Sequence, residues 1–206
     1  MGQRSKRAPR CEACRMHSAA CLCPHLPRLE LSTRVVLIMH HREVSKTTAT
    51  GPLALLALAN SRSCVHGEGG TLLDLGPEHV ADRRVMLLFP RDDAEVLTPE
   101  LLARDPRPVT LLVPDGNWRQ ASRASRRIPG MAQAECVVLA AGPPTRYRLR
   151  HEPKVGGLAT FEAIARALGV LESVAVQQQL EAVFERMVAA TLDTRGQPKP
   201  PDARSA

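Results

Sequence analysis

Aromatic side chains and long apolar runs are scarce in this chain. Its 206 residues include three Phe, one Tyr and one Trp, so a broad base-stacking platform of the RNA-recognition-motif type is disfavoured. The longest apolar stretch, 52–59, is far below the roughly 18 residues that span a bilayer. The basic N-terminus is not followed by the apolar run of a signal peptide. We therefore expect a cytoplasmic protein with no membrane partner.

Positive charge is in excess. Lys and Arg total 28 against 21 Asp and Glu, which gives a net charge of +7. This balance favours an anionic partner such as nucleic acid, although basic tails alone would produce it too. Segments 1–10 and 195–206 are rich in Arg, Lys, Pro and Ser, and we expect both to be disordered. The hydrophobic content of 44% is enough for one ordinary core with a small appendage.

Strands and helices alternate in the predicted secondary structure. Apolar and β-branched runs predict strands at 34–39, 85–89, 109–113 and 135–140. Stretches rich in Ala, Leu, Gln and Glu predict helices at 52–60, 119–128, 160–168 and 174–192, with Gly169 as the stop of the third. The alternation predicts an α/β fold with a mainly parallel sheet that is covered by helices on both faces.

Three polar segments directly follow predicted strands, namely 40–43, 90–93 and 115–118. Because the carboxyl ends of parallel strands meet at one edge, these segments are expected to line one crevice. The third segment delivers Asp115 and the single tryptophan, Trp118, into a tight turn before a helix. A helix cap and a core side chain are the structural alternatives for these two residues. The convergence of the three segments favours a functional site.

Four of the six cysteines lie within thirteen residues, as Cys11, Cys14, Cys21 and Cys23. In a cytosolic chain this spacing favours a tetrahedral Zn²⁺ site over disulfides, and redox-active or unbound thiols remain the alternative. The last pair is tighter than in a usual zinc ribbon, so His17 or His25 is a possible replacement ligand. Cys64 and Cys136 are expected to be small core residues.

Six motifs occur in order along the chain. After the cysteine cluster come HHREVSKTTATG at 40–51, LLFP at 87–90, DGNWRQA at 115–121, YRLR at 147–150 and LATFEA at 158–163. In these motifs the chain resembles the DTW-domain tRNA-uridine aminocarboxypropyltransferases over about residues 11–172. The resemblance implies a SPOUT-like fold with a deep knot, and a catalytic domain at 31–194 that follows a zinc knuckle at 11–30.

The activity that the resemblance implies is transfer of the 3-amino-3-carboxypropyl group from S-adenosylmethionine to N3 of a uridine in tRNA. The products are acp3U and 5′-methylthioadenosine. Two other functions stay open from the residues: an S-adenosylmethionine-dependent RNA methyltransferase, and a non-catalytic zinc-containing RNA-binding protein.

Asp115 is the candidate general base, since N3 carries a proton that has to leave. Candidates for contacts with S-adenosylmethionine or the uridine are His40, Glu43, Lys46, Thr50, Phe89, Pro90, Trp118, Arg119, Gln120, Tyr147, Arg148, Thr160 and Glu162. Candidates for phosphate contacts, which share one face of a predicted helix, are Arg123, Arg126 and Arg127. The alternatives are solvated positions for the arginines and Lys46, and a first-turn helix role for Glu162.

The chain departs from the family pattern at four positions. Asn117 stands where Thr is usual, His41 where Pro is usual, Ala49 where Asn is usual, and Ala159 where Ser is usual. Asn117 keeps a hydrogen-bonding side chain, so the turn after Asp115 is expected to survive. The two alanines lose such a side chain, which bears on substrate affinity or on the choice of nucleotide.

Overall fold

The computed structural model describes residues 9–69, 73–149 and 157–196. Its strands are β1 (Arg34–His40), β2 (Ser61–His66), β3 (Arg84–Leu88), β4 (Glu95–Val96), β5 (Val109–Asp115) and β6 (Glu135–Val138). Its α-helices are α1 (Gly51–Leu56), α2 (Pro99–Ala103), α3 (Trp118–Arg127), α4 (Pro129–Ala132), α5 (Thr160–Leu171) and α6 (Val174–Thr194). Most of the two predicted tails lies outside the described residues.

The six strands form one sheet in the order β2-β1-β5-β3-β6-β4, and every pair in it is parallel. Strand β5 lies between β1 and β3, and all seven of its residues are buried. A continuous apolar and β-branched run is typical of a parallel strand that is covered on both faces. The predicted parallel α/β fold is therefore confirmed, while the deep knot stays a prediction.

Helices pack on both faces of the sheet. Helices α1, α5 and α6 share a core with one set of alternating strand residues, which includes Leu37 and Val113. Helices α3 and α4 share a second core with the opposite set, which includes Ile38 and Leu112. Because successive side chains of a strand point to opposite faces, this alternation separates the two cores. The predicted covering on both faces is confirmed.

The strand at one edge of the sheet, β2, was not predicted from the sequence. Its six residues read SRSCVH, and only the fourth is buried, so no apolar run marks them. The helix predicted at 52–60 is wrong in its second half, since α1 ends at Leu56. Beyond that point the backbone forms hydrogen bonds with other segments instead of continuing the helix. Leu58 forms an isolated β-bridge with Leu29, and the Asn60 carbonyl accepts a hydrogen bond from the Val35 N–H at 3.1 Å.

Gly169 was wrongly predicted as a helix stop, because α5 continues to Leu171. A Cβ at position 169 would clash with the Gln177 side chain of α6. The glycine therefore permits close packing of two helices. The edge strand β4 and the short helix α2 were also missed, and the other strands differ from their predicted ends by at most two residues.

The cysteine-rich segment packs against the body of the protein rather than standing apart from it. Cys14, Met16 and Leu22 are buried in the same core as α1, α5 and α6. The Thr191 hydroxyl of α6 lies 4.0 Å from the Met16 sulfur. In the part of the chain that the structure describes, no helix has the length and apolar character needed to cross a membrane.

Candidate active site and metal centre

Three adjacent strands end together at the carboxyl edge of the sheet. Strands β1, β5 and β3 end at His40, Asp115 and Leu88, and Met39 pairs in register with Asp115. The polar segments that were predicted to converge therefore follow neighbouring strands. The predicted convergence is confirmed by the strand order.

Asp115, the last residue of β5, lies where three elements meet, and its exposed fraction is only 6%. Its Oδ1 accepts a 2.6 Å hydrogen bond from the hydroxyl of Thr160, the first residue of α5. Gly51 begins α1 nearby, and a Cβ there would lie 3.2 Å from Asp115 Oδ2 and 2.8 Å from Leu37 Cδ1. The close approach of α1 to the carboxylate thus requires a residue without a side chain.

The turn after Asp115 is closed by a reciprocal pair of hydrogen bonds. Asn117 is the N-cap of α3, and its side chain accepts from the Gln120 N–H at 2.9 Å. The Gln120 Oε1 accepts from the Asn117 N–H at 2.8 Å. The cap alternative for Asp115 is therefore wrong, and Asn117 preserves the turn as expected. Trp118 follows directly, with its ring 6.0 Å from that of buried Phe89.

Glu162 fixes a neighbouring segment to the start of α5. Its Oε2 accepts from the N–H of Ala159, the N-cap residue, at 3.0 Å. Its Oε1 accepts from the Arg146 N–H at 2.7 Å, and the Thr145 hydroxyl also donates to the carboxylate. Both oxygens are thus used within the protein. A substrate contact of Glu162 stays a prediction.

Segment 40–51 is held in place by hydrogen bonds to two other segments of the chain. The Thr50 hydroxyl oxygen accepts from the Phe161 N–H at 3.2 Å, and the Tyr147 hydroxyl donates to the Thr48 carbonyl at 2.9 Å. Within the segment, the ammonium of Lys46 lies 2.6 Å from a carboxylate oxygen of buried Glu43. The structure therefore places Thr50 beside the start of α5, where Thr160 bonds Asp115, and Tyr147 against the same segment. Contacts of these residues with substrate stay a prediction.

Three histidines form a cluster at the ends of β1 and β2. The His40 ring lies 4.4 Å from that of His41 and 5.2 Å from that of His66. Burial lowers the pKa of His40 and His66, which favours neutral rings near pH 7. His66 was missed from the sequence because it becomes a neighbour of His40 only through the pairing of β1 with β2.

The remaining predicted positions face solvent. Pro90, which lies just beyond the end of β3, and Arg148 are exposed. The exposed arginines of α3 are Arg119, Arg123, Arg126 and Arg127. Residues Ala121, Ala124 and Ser125 form the buried side of the same helix. The predicted basic face is thus present, and its RNA contacts stay a prediction.

The four clustered cysteines bring their sulfur atoms within 4.8 Å of one another. The sulfur atoms of Cys11 and Cys23 are 3.6 Å apart, and those of Cys14 and Cys21 are 3.7 Å apart. Four sulfurs about 2.3 Å from a tetrahedral Zn²⁺ would be separated by about 3.8 Å, so the spacing fits zinc. The four cysteines already supply the four ligands of a tetrahedral site, so a histidine is not needed as a replacement ligand. The His17 ring accepts a hydrogen bond from the Ala19 N–H.

The thiols of this cluster differ in acidity. Hydrogen bonds from the backbone N–H groups of Cys14 and Ala13 lower the pKa of Cys11 to about 6. The hydrogen-bonded Cys11 sulfur and burial raise the pKa of Cys23 to about 12. Thiolates this close repel one another, which a bound cation would relieve. The other two cysteines, Cys64 and Cys136, are buried in the second core as predicted.

A family model described as the DTW domain matches residues 8–192. The chain belongs to the DTW domain family. A relative named tRNA-uridine aminocarboxypropyltransferase 2, from Mus musculus, is 29% identical over 181 residues, which cover 82% of this chain and 59% of that protein. The tRNA-uridine aminocarboxypropyltransferase A of Arabidopsis thaliana is 28% identical over 215 residues, covering 86% of this chain and 79% of the relative.

This DTW-domain chain therefore spans about three fifths of the mouse relative that it matches. A more distant likeness is to a solved structure, the SAM-dependent rRNA:acp-transferase Tsr3 from Vulcanisaeta distributa. The identity is 14% and the TM-score 0.44, with 80% of this chain and 84% of that chain covered. A likeness at this level carries no conclusion about the site.

Proposed function

We propose that this protein transfers the 3-amino-3-carboxypropyl group of S-adenosylmethionine to N3 of a uridine in tRNA. The products are acp3U and 5′-methylthioadenosine. The observation that carries the proposal is the position of Asp115, a buried carboxylate at the carboxyl end of the central strand, in a chain of the DTW family. The names of the curated relatives support the choice of the transferred group and of the acceptor.

The reaction needs a proton acceptor and a fixed direction of attack. Uridine N3 loses its proton to the Asp115 carboxylate as the bond from N3 to the aminocarboxypropyl Cγ forms. The bond from Cγ to the sulfonium sulfur breaks, and 5′-methylthioadenosine leaves as a neutral thioether. A general base typically contributes about 10²–10⁴ in rate. Which of the three carbons on sulfur reacts depends on the position of the bound S-adenosylmethionine.

The substrates would lie between the fastened segments around Asp115. Segments 40–51 and 145–149 are held to the start of α5, and the capped turn at 117–120 presents Trp118 beside Phe89. These two rings offer an apolar wall for adenine or uracil. Glu43 and Lys46 offer charges of both signs for the methionine ammonium and carboxylate. The preformed hydrogen bonds reduce the cost of ordering the site on binding.

The target uridine would be presented unpaired, because Watson–Crick pairing hides the N3 edge. The exposed arginine face of α3 begins at the capped turn beside Asp115, so it is well placed to bind phosphates that flank the target. Its members are Arg119, Arg123, Arg126 and Arg127.

We further propose that the four-cysteine cluster holds one zinc ion with a structural role, since four protein ligands leave no open position for substrate. Elemental analysis should find one zinc per chain in the purified protein. The double variant Cys11→Ser, Cys14→Ser should lose that zinc, whereas Cys64→Ser should keep it. Full thermal stability of a zinc-free wild type would contradict the proposal.

The decisive experiment incubates the purified protein with bulk tRNA and S-adenosylmethionine. Mass spectrometry of the digested tRNA should identify acp3U, and chromatography should identify 5′-methylthioadenosine. A methylated nucleoside with S-adenosylhomocysteine would instead indicate a methyltransferase. Binding of tRNA without any product, at every enzyme concentration, would indicate a non-catalytic RNA-binding protein.

A further inference from the structure

Arg15 has an unusual backbone conformation in the cysteine-rich segment. Among the residues that the structure describes, it is the one non-glycine residue with positive φ, at 59°. Its N–H donates to the Cys11 carbonyl at 2.9 Å, and the Cys11 N–H donates to the Met16 carbonyl at 2.9 Å, which closes the turn around it. Glycine adopts this conformation without steric cost, whereas a residue with a side chain is strained there. The strain raises the question of what the Arg15 side chain contributes.

The Arg15 side chain leaves the cysteine-rich segment and contacts segment 40–51, which carries several candidate site residues. Its Nη1 donates a hydrogen bond to the carbonyl oxygen of Val44, 29 positions along the chain. Val44 directly follows the short helical turn His41–Glu43. It also lies between Glu43 and Lys46, which form an ion pair within segment 40–51. The guanidinium thus joins the two parts of the molecule through one backbone carbonyl.

The backbone around Arg15 is held in place by its two buried neighbours. Met16, the next residue, is buried against α6, where the Thr191 hydroxyl approaches its sulfur. Cys14, the preceding residue, is buried in the same core. A donor side chain on an anchored backbone can hold a loop carbonyl in one position. Arginine suits this role because its planar guanidinium loses less conformational freedom per hydrogen bond than the lysine side chain does.

We infer that Arg15 is a positioning residue for segment 40–46 and acts on S-adenosylmethionine binding through the Val44 carbonyl. The inference rests on the proposed function, because it requires that this segment contact S-adenosylmethionine. Glycine at position 15 would relieve the strain but would have no side chain to reach Val44. A purely structural turn residue would be improved by glycine without any change in ligand binding.

The test compares three variants, with zinc content measured for each. Arg15→Gly removes the strain together with the contact, and the two effects on stability oppose each other, so its Tm should stay within about 4 °C of the wild type. Its Kd for S-adenosylmethionine, measured by calorimetry without tRNA, should rise about fivefold, as expected for one lost hydrogen bond. In the tRNA assay its KM for S-adenosylmethionine should rise similarly, while kcat stays within about twofold. Arg15→Lys keeps a cationic donor and should stay within about twofold of the wild-type Kd.

Arg10→Ala is the matched control, because Arg10 donates to the Arg15 carbonyl at 2.9 Å and so loses a bond within the same turn. Its Kd for S-adenosylmethionine should not change. An unchanged Kd in Arg15→Gly, or an equal rise in the Kd of Arg10→Ala, would each overturn the inference. Failure of the proposed function is seen separately, as wild-type protein that binds S-adenosylmethionine but forms no acp3U.

Discussion

The Thr160 hydroxyl donates a 2.6 Å hydrogen bond to Asp115 Oδ1, which joins the end of the central strand to the start of α5. The two residues are 45 positions apart in the chain. One carboxylate oxygen is thereby held in a fixed direction at the start of α5, to which segments 40–51 and 145–149 are also hydrogen-bonded. A base oriented before substrate binds needs little rearrangement during the reaction.

Replacing Asp115 by Asn should abolish most turnover while leaving both substrates able to bind. Asn has nearly the shape of Asp but cannot accept the N3 proton, and we expect kcat to fall by about 10²-fold or more. Single-turnover formation of acp3U measures the change, and calorimetry with S-adenosylmethionine measures binding. Wild-type turnover in Asp115→Asn would remove Asp115 from the role of base.

Thr160 should contribute to turnover through its hydroxyl rather than through its size. Thr160→Val has the same shape without the donor, and we expect kcat to fall about tenfold because the carboxylate loses its orientation. Thr160→Ser keeps the donor and should stay within about threefold of the wild type. Equal activity of the Val and Ser variants would show that the hydrogen bond does not matter for the reaction.

Gly51 should not tolerate a methyl group. A Cβ at this position would lie 2.8 Å from Leu37 Cδ1 and 3.2 Å from Asp115 Oδ2, so Gly51→Ala forces α1 away from the sheet. Overpacking of this kind costs about 1–3 kcal/mol, which urea unfolding should detect, and turnover should fall as well. Gly142→Ala is the control, since its Cβ would lie 3.3 Å from the flexible end of Arg166 at an exposed position. It should leave stability within about 0.5 kcal/mol.

Periodicity in the sequence predicted the central strands and the long helices, because those elements bury apolar residues in a regular pattern. The same argument fails for β2, where the residues of an edge strand are mostly exposed and polar. It also fails at Gly169, whose small size permits the packing of α5 on α6 rather than ending a helix. Packing between elements distant in sequence is not encoded in local patterns.

The candidate site was predicted in its central parts because strand ends in a parallel sheet converge. Asp115 and Trp118 follow from that rule, and the wider set of contacts came from the family resemblance. The roles of Thr145, Thr48 and His66 could not be predicted, since each depends on a tertiary contact. Glu162 was predicted as a substrate contact, with a first-turn helix role as the alternative. Its carboxylate accepts hydrogen bonds from the N–H groups of Ala159 and Arg146, and the substrate contact stays a prediction.

Helices α3 and α5 both begin beside Asp115, and their stability should depend on the N-cap side chain. Adding an acceptor at the N-cap of α5 should stabilise the protein, and removing the acceptor at the N-cap of α3 should destabilise it. Ala159 has the extended backbone of an N-cap but no side-chain acceptor, so Ala159→Ser should raise the free energy of unfolding by about 0.5–2 kcal/mol. Asn117→Ala removes the acceptor for the Gln120 N–H and should lower the free energy of unfolding by about 1 kcal/mol. Urea unfolding of both variants measures the difference. A loss of stability in Ala159→Ser would mean that the buried position has no room for the hydroxyl.

The arginine face of α3 should contribute to tRNA affinity through phosphate contacts. The triple variant Arg123→Ala, Arg126→Ala, Arg127→Ala should weaken tRNA binding and reduce the slope of log K against log salt by about 2–3, because fewer counterions are released. Filter binding at several salt concentrations measures both effects. A second triple variant, Arg28→Ala, Arg104→Ala, Arg186→Ala, removes the same charge from exposed positions outside α3. If both triple variants reduce the slope equally, overall charge rather than the α3 face attracts tRNA. If only the α3 variant reduces the slope, the tRNA phosphates lie along α3, beside the turn that carries Trp118.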